Sequence, residues 1–303
     1  MNYNRLFVDF EKRYGEKCRK SYFVGMPLSF FERDGLTMGC AVSIGGCLLL
    51  SPRSDGRLMI GFSDTDRLLT CNVNELVENS DEDIFDILLN LKKIGINPGG
   101  ARMLYAYNTR ITHPYLPMTL AALKGFCVDV PPIKELLGHF GYFEKNALAL
   151  FSRKDTVVLI KAGKIEYYPF PSQRYKIVMC ECGNAKIKKN LRSDMTRPHD
   201  AMKALSEGNF DVFGRLVTAE GAAVLAANRK AGNVRALFDI ARRLGDSVGT
   251  GVLDGGIFAL VEEERIDTFM HNLGAEFERR IGKRPDFYIT VPENSGTETG
   301  GGE

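Results

Sequence analysis

Two kinds of residue pattern in this chain could carry chemistry. The first is a glycine-rich stretch, Gly249-Thr250-Gly251-Val252-Leu253-Asp254-Gly255-Gly256, just before an apolar run. Glycines without a Cβ let backbone N–H groups close on a phosphate, and they equally serve a tight turn between packed elements. Both readings stand. The second is an isolated acid–base couple, Glu144-Lys145. By itself it reads as an exposed charge pair of little energetic consequence. Metal chemistry through thiols or imidazoles is not indicated. The seven cysteines (18, 40, 47, 71, 127, 180, 182) form no C-x-x-C pair, and His113, His139, His199 and His271 lack ligand spacing. Cys180 and Cys182 are expected to point to opposite faces of a strand and so not to share a metal. An odd set of scattered cysteines fits reduced, buried thiols in a cytosolic protein.

The elements that must position these residues follow from periodicity. Leu6, Phe7, Phe10 and Tyr14 recur at helical spacing before Gly15. Residues 22–62 are strand-like and broken at Arg33-Asp34-Gly35 and at 51–56, where the second break reads as a hairpin. A helix is expected over 81–94, strands at 101–107, 147–151, 156–161, 164–168 and 175–181, and short helices at 118–126 and from Pro131-Pro132 to about 138. A polar, basic run at 186–197 separates this strand-rich part from a helical one. There, apolar stripes at Phe210, Phe213, Leu216, Val217 and over 234–244 precede the glycine stretch. A strand at 257–261, a helix at 264–281 and a strand at 287–291 follow. The tail 292–303, rich in Gly, Thr, Ser and Glu, reads as disordered. The expected organisation is therefore α+β, with one domain over 1–190 and a second over 191–291.

Bulk composition sets outer bounds. Of 303 residues, 44% are hydrophobic and 26% charged, with 40 basic against 38 acidic side chains. A formal charge of +2 gives no general attraction for nucleic acid or anionic lipid. No run approaches the ~20 apolar residues that cross a bilayer. The expectation is a cytoplasmic protein without nucleic-acid or membrane partners.

Several of these stretches, in order, resemble the galactokinase family of GHMP small-molecule kinases. Gly208-Asn209-Phe210-Asp211-Val212-Phe213-Gly214-Arg215-Leu216 looks like that family's "G-D-L-x-x-F-G-x-L" helix. The run from Thr250 to Val261 is similar to its "T-G-A-G-F-G-G-C-x-x-A-L-V" motif, one residue shorter, and Asp286-Phe287-Tyr288-Ile289-Thr290-Val291-Pro292 to its closing "E-F-Y-V-x-x-P" strand. Phe10-Glu11-Lys12-Arg13-Tyr14-Gly15 looks like its opening helix. The resemblance implies a two-domain GHMP kinase fold. Its N-terminal domain would be ribosomal-S5-domain-2-like and its C-terminal domain ferredoxin-like. A helical insertion that the family carries between residues 190 and 194, with a sugar-site tyrosine, has no counterpart here.

The family's chemistry is ATP- and Mg2+-dependent phosphoryl transfer, which rests on positioning and electrostatics. Its phosphate loop, "P-x-G-x-G-L-S-S-S-A-A-L", reads here as Pro114-Tyr115-Leu116-Pro117-Met118-Thr119-Leu120 before Ala121-Ala122-Leu123. Both glycines are gone, Pro117 has no N–H to donate, and only Thr119 keeps a hydroxyl. The family's catalytic Asp falls on Glu144, with Gly141, Ala149 and Leu150 in register. Its Arg and its sugar-reading Glu, His and Asp fall on Tyr22, Leu28, Ser29 and Phe31, when aligned through Asp34-Gly35. The resemblance thus implies Glu144 as the catalytic position. Thr119, Gly251, Gly255 and Gly256 would lie at the nucleotide, and Asp34, Gly35 and Gly141 at the substrate. Thr119 and Glu144 would hold Mg2+ if it binds. Three readings stay open. One is a pseudokinase that binds a small metabolite in its interdomain cleft. The second is an active kinase for another sugar or small alcohol, using ATP and Mg2+. The third is an interaction scaffold.

Overall fold

The computed structural model describes residues 3–75, 88, 89, 92, 93, 95, 98–107, 147–149, 151–183, 185–188, 196–294, 297 and 298. They fall into two compact units, each drawn from separate stretches of chain. One comprises Met1–Pro27, Ile44–Phe151 and Asn294–Glu303, and the other Leu28–Ser43 and Ser152–Glu293.

The first unit opens with helix α1 (Tyr3–Tyr14), whose Leu6 and Phe10 are buried among Cys18, Cys47, Leu49, Leu104 and Ala106. Gly15, at φ 69°, ends it. Strands β1 (Lys20–Arg33), β2 (Leu36–Arg53), β3 (Arg57–Phe62), β4 (Leu68–Asn72) and β5 (Gly100–Tyr107) follow. The sheet order is β12-β1-β2-β5-β3-β4, where β12 is the two-residue strand Thr297–Glu298. Its pairing with Tyr22 and Phe23 gives a stretch of the low-complexity tail a regular place in the sheet. The expected hairpin at 51–56 does not form. Strand β5 lies between β2 and β3, antiparallel to the first and parallel to the second. The turn residues reverse the chain but do not dictate pairing. A Cβ on Gly100 would stand 2.9 Å from the Gly56 and Arg57 amides, so glycine is what admits β5 there. The α1 end is stitched to this sheet: the Tyr14 hydroxyl donates to Met103 O at 2.6 Å, and Arg13 Nη2 donates to Thr65 O at 2.9 Å.

The second unit begins with the shared strands, since residues 28–33 of β1 and 36–43 of β2 belong to it. Leu36–Gly39 pairs with β6 (Thr156–Lys161), which turns through Ala162-Gly163 into β7 (Lys164–Pro169). Both turn residues have positive φ, 48° and 76°, the geometry of a two-residue hairpin that follows strand twist. Then come β8 (Tyr175–Glu181), α2 (Thr196–Ser206), α3 (Phe210–Ala227), α4 (Gly232–Leu244), β9 (Gly249–Leu253), β10 (Gly256–Glu262), α5 (Ile266–Ile281) and β11 (Asp286–Thr290). The antiparallel sheet runs β11-β8-β10-β9, the ferredoxin-like order, with its first strand lying before residue 190. Alternation along β10 separates two cores. Ile257, Ala259 and Val261 join Leu237, Phe238, Phe269, Leu273 and Phe277 of α4 and α5. Phe258 faces the other way, 5.5 Å from the Phe30 ring, which itself meets Phe213 of α3 at 5.4 Å.

Two expectations are corrected here. Ala147, Leu148 and Ala149 are helical and buried, not a strand. A short apolar run has no period long enough to tell the two apart. Cys180 and Cys182 share one face, because residues two apart on a strand point the same way. Both sit in the core beneath α4 and α5. Among the described residues no group of three His, Cys, Asp or Glu side chains could hold a metal ion.

Candidate functional site

The sequence-predicted residues divide into those the structure describes and those it does not. Thr119, Gly141 and Glu144, with the whole stretch 113–120, lie outside the described residues. The remaining five lie on two hairpins of the second unit.

Asp34 and Gly35 form the exposed tip between β1 and β2. Gly35 adopts φ 74°, which favours glycine, and its carbonyl accepts from Ala162 N at 3.2 Å. Here turn geometry alone accounts for the glycine.

The glycine-rich stretch is the β9–β10 hairpin rather than a loop. Three of its four glycines answer a close approach. A Cβ on Gly249 would stand 2.7 Å from Gly214, one on Gly251 2.1 Å from the Phe258 ring, and one on Gly256 2.0 Å from Cys180 O. Gly255 is the turn residue, at φ 74°. Its N–H donates to Ala185 O at 2.7 Å, and its carbonyl accepts from Cys182 N at 2.9 Å and Gly183 N at 3.1 Å. The Asp254 carboxylate accepts from Ile187 N at 2.7 Å. The tip is thus fastened to residues 182–187 through its own backbone.

The β1 positions in register with the family's Arg and sugar-reading groups are interior. Leu28 is fully buried, and Phe31, 1% exposed, has its ring centroid 6.4 Å from that of Phe213. Tyr22, in the first unit, is buried opposite Glu298. Ser29 keeps a polar group, its hydroxyl 3.4 Å from a Glu32 carboxylate oxygen.

Next to Ser29 lies a charge cluster that sequence reasoning missed. Glu220 of α3 is 3% exposed and is gripped by two guanidinium groups. Arg33, at the end of β1, donates from Nη1 at 2.5 Å and Nη2 at 2.8 Å to its two carboxylate oxygens. Arg197 of α2 adds a third bond at 3.0 Å. A forked guanidinium on a carboxylate is the strong, planar form of an ion pair. The readable signal was positional. Phe213, Val217, Glu220, Gly221 and Val224 share the buried face of α3, so an acid stands where the period calls for an apolar residue.

Ser29, Glu32, Glu220, Gly251, Val252 and Phe258 border a small recess with about 10 Å³ of room, the space of one water. Two residues singled out by sequence, Ser29 and Gly251, come together there. It is too small for a sugar or a nucleotide.

Comparison with known proteins decides the fold. No protein-family model matches the sequence, and no curated protein does. Among solved structures, galactokinase from Lactococcus lactis, crystallised with galactose, superposes with a TM-score of 0.81 over 98% of this chain and 100% of that one, at 16% identity. The chain has the galactokinase fold. Other GHMP-fold structures match more loosely. Mevalonate-3-kinase from Thermoplasma acidophilum, bound to mevalonate 3-phosphate and ADP, gives a TM-score of 0.58 over 94% and 100% of the two chains at 10% identity. Mevalonate diphosphate decarboxylase from Staphylococcus aureus gives 0.65 over 93% and 98% at 9% identity. This galactokinase-fold frame therefore hosts different reactions, and its presence does not name one.

Of the hairpin glycines expected at the nucleotide, Gly255 spends its amide on Ala185 O and Gly251 is turned to the Phe258 ring.

Proposed function

We propose that this chain is a galactokinase-fold protein without phosphoryl-transfer activity, acting as a binding or regulatory relative of the kinases. The observation that carries the reading is the burial of Leu28 and Phe31. In the galactokinase register these positions hold the acidic groups that read sugar hydroxyls. Here they are apolar and form core, so paired hydroxyl recognition has no residues to perform it. The sequence of 114–120 supports the same reading, since two prolines and no glycines replace a loop whose function is to present amides. The ligand we assign is a small metabolite rather than ATP-Mg2+.

Turnover assays with ATP, Mg2+ and a panel of sugars and small alcohols test this reading, with product detection for ADP. The expected result is no ADP release above background for any acceptor. Turnover that Glu144→Gln abolishes would overturn it. An active kinase would then stand in its place, with Glu144 taking the acceptor's proton and Thr119 on the magnesium ion.

A further inference from the structure

The second unit concentrates cations at one end. Topology brings them together: β8 ends there at Glu181, β11 begins opposite it at Asp286, α5 has just ended at Ile281, and α4 begins at Gly232. The segment leaving β8 crosses this end. Its Lys188 backbone is held by the Asn228 side chain through bonds of 3.0 and 2.8 Å, and Ala185 and Ile187 are tied to the β9–β10 tip. The result is a face that carries Lys186, Lys188, Arg229, Lys230, Lys283 and Arg284, all exposed. Asp286 lies opposite Glu181 in the sheet, so Lys283 and Arg284, just before β11, stand on the side where β8 ends.

The acids at this end do not balance these charges. Glu181 is buried and accepts from the Tyr288 hydroxyl at 3.5 Å, and Asp254 is engaged with the Ile187 amide. Glu278 pairs with Arg284 at 3.7 Å, Asp286 is exposed, and α4 has no acid in its first turn. Among the described residues Lys186, Lys188, Arg229, Lys230 and Lys283 form no ion pair. Elsewhere in the unit, cations meet acids: Arg174 pairs with Glu262 at 2.6 Å, Arg243 with Glu276 at 2.5 Å and Arg279 with Glu276 at 2.7 Å. Like charges held together without partners cost folding energy, and an anionic partner relieves that cost.

We infer that this face docks an acidic segment of another protein, a short run of Asp and Glu. Charge complementarity selects an anion. Among the described residues no exposed ring lies at this end, which selects a peptide over single-stranded nucleic acid, since the latter gains much of its affinity from base stacking on aromatic side chains. The nearest rings, Phe287 and Tyr288, are half-buried in the sheet edge. Four strands at ~4.8 Å spacing make a face about 15 Å wide, the span of roughly five extended residues. The inference stands apart from the proposed loss of catalysis, because none of these residues belongs to the expected active site.

Fluorescence anisotropy of a labelled octaglutamate peptide with the full chain tests it. At about 50 mM salt we expect saturable binding that weakens several-fold by 200 mM, as screening requires. The combined variant Lys186→Glu, Lys188→Glu, Arg229→Glu and Lys230→Glu should bind at least about tenfold more weakly. The corresponding Gln variant should fall between, and Lys164→Glu, at the β6–β7 turn, should bind as the parent does. Circular dichroism melting shows that each variant is folded. No binding at 50 mM salt, charge reversal that changes affinity by less than twofold, or tighter binding of an octathymidylate would each overturn the inference.

Discussion

Glu220 shows how a single buried charge is tolerated. Its carboxylate would be costly in the core of the second unit without the Arg33 fork and the Arg197 bond. Removing the acid while leaving both guanidinium groups should therefore cost more than a cavity of that size. Glu220→Ala is expected to lower stability by about 3–5 kcal/mol in urea unfolding. A loss below 1 kcal/mol would mean that water solvates the pair. Leu28→Ala, at a fully buried position, should cost about 2–5 kcal/mol through transfer and cavity formation. That substitution also probes function. If Leu28 touches a ligand rather than core, affinity will change while stability does not. The thiols give a pH prediction. Burial pushes Cys47 up to about 12 and Cys182 up to about 11, and it raises Cys18, Cys40, Cys71 and Cys180 as well. The folded state holds these protons above the pH at which the unfolded chain loses them. Stability is therefore full below about pH 9 and declines as pH rises further. Chemical denaturation at pH 8 and pH 10 should show the fall, and native-state labelling of these cysteines by a thiol reagent at pH 8 should be slow.

At the scale of elements, the β9–β10 hairpin is the instructive case. The sequence suggested either a phosphate-binding loop or a tight turn, and both readings placed the glycines in irregular backbone. The structure makes most of them strand residues whose missing Cβ admits a neighbour: Phe258 at Gly251, α3 at Gly249, β8 at Gly256. Sequence alone could not distinguish these cases, because the neighbour that forbids a side chain is distant in the chain. Gly251→Ala should cost about 1–3 kcal/mol by overpacking against the Phe258 ring, read as a lower urea midpoint. Gly255→Ala should cost about 1–2 kcal/mol from its left-handed backbone. Elsewhere local pattern was enough. The 3.6-residue period placed α1, α4 and α5 within a few residues of their observed bounds, and a stretch rich in Val, Ile, Leu and Cys, broken at Arg33-Asp34-Gly35, located β1 and β2. What local pattern could not supply was pairing. The insertion of β5 between β2 and β3, and of Thr297 and Glu298 beside β1, depend on residues far apart in sequence. The candidate site was legible mainly as substitutions in register. The Arg33–Glu220–Arg197 cluster was not, because its members are far apart in sequence and each looks like an ordinary charge.

At the scale of the whole molecule, the galactokinase fold persists at 16% identity to the superposed galactokinase, as expected when packing constrains a chain more loosely in sequence than in shape. A balanced total of +2 conceals a cationic end on the second unit and, on the other side of α5, a paired cluster around Glu276. The Arg279 fork, and then the single Arg243 bond, holds the Glu276 carboxyl down at about 2. Its contribution is present above the unfolded value near 4.5 and is lost as pH falls toward 2. Glu276→Gln should therefore flatten the stability profile between those values, less stable than the parent at neutral pH and converging with it toward pH 2. The central claim is that this fold no longer holds a nucleotide. Calorimetric titration of ATP-Mg2+ into the full chain, to about 1 mM free nucleotide, addresses it directly. Heats indistinguishable from dilution are the predicted result, together with no rise in melting temperature at the same concentration. A saturable one-to-one isotherm would contradict the account.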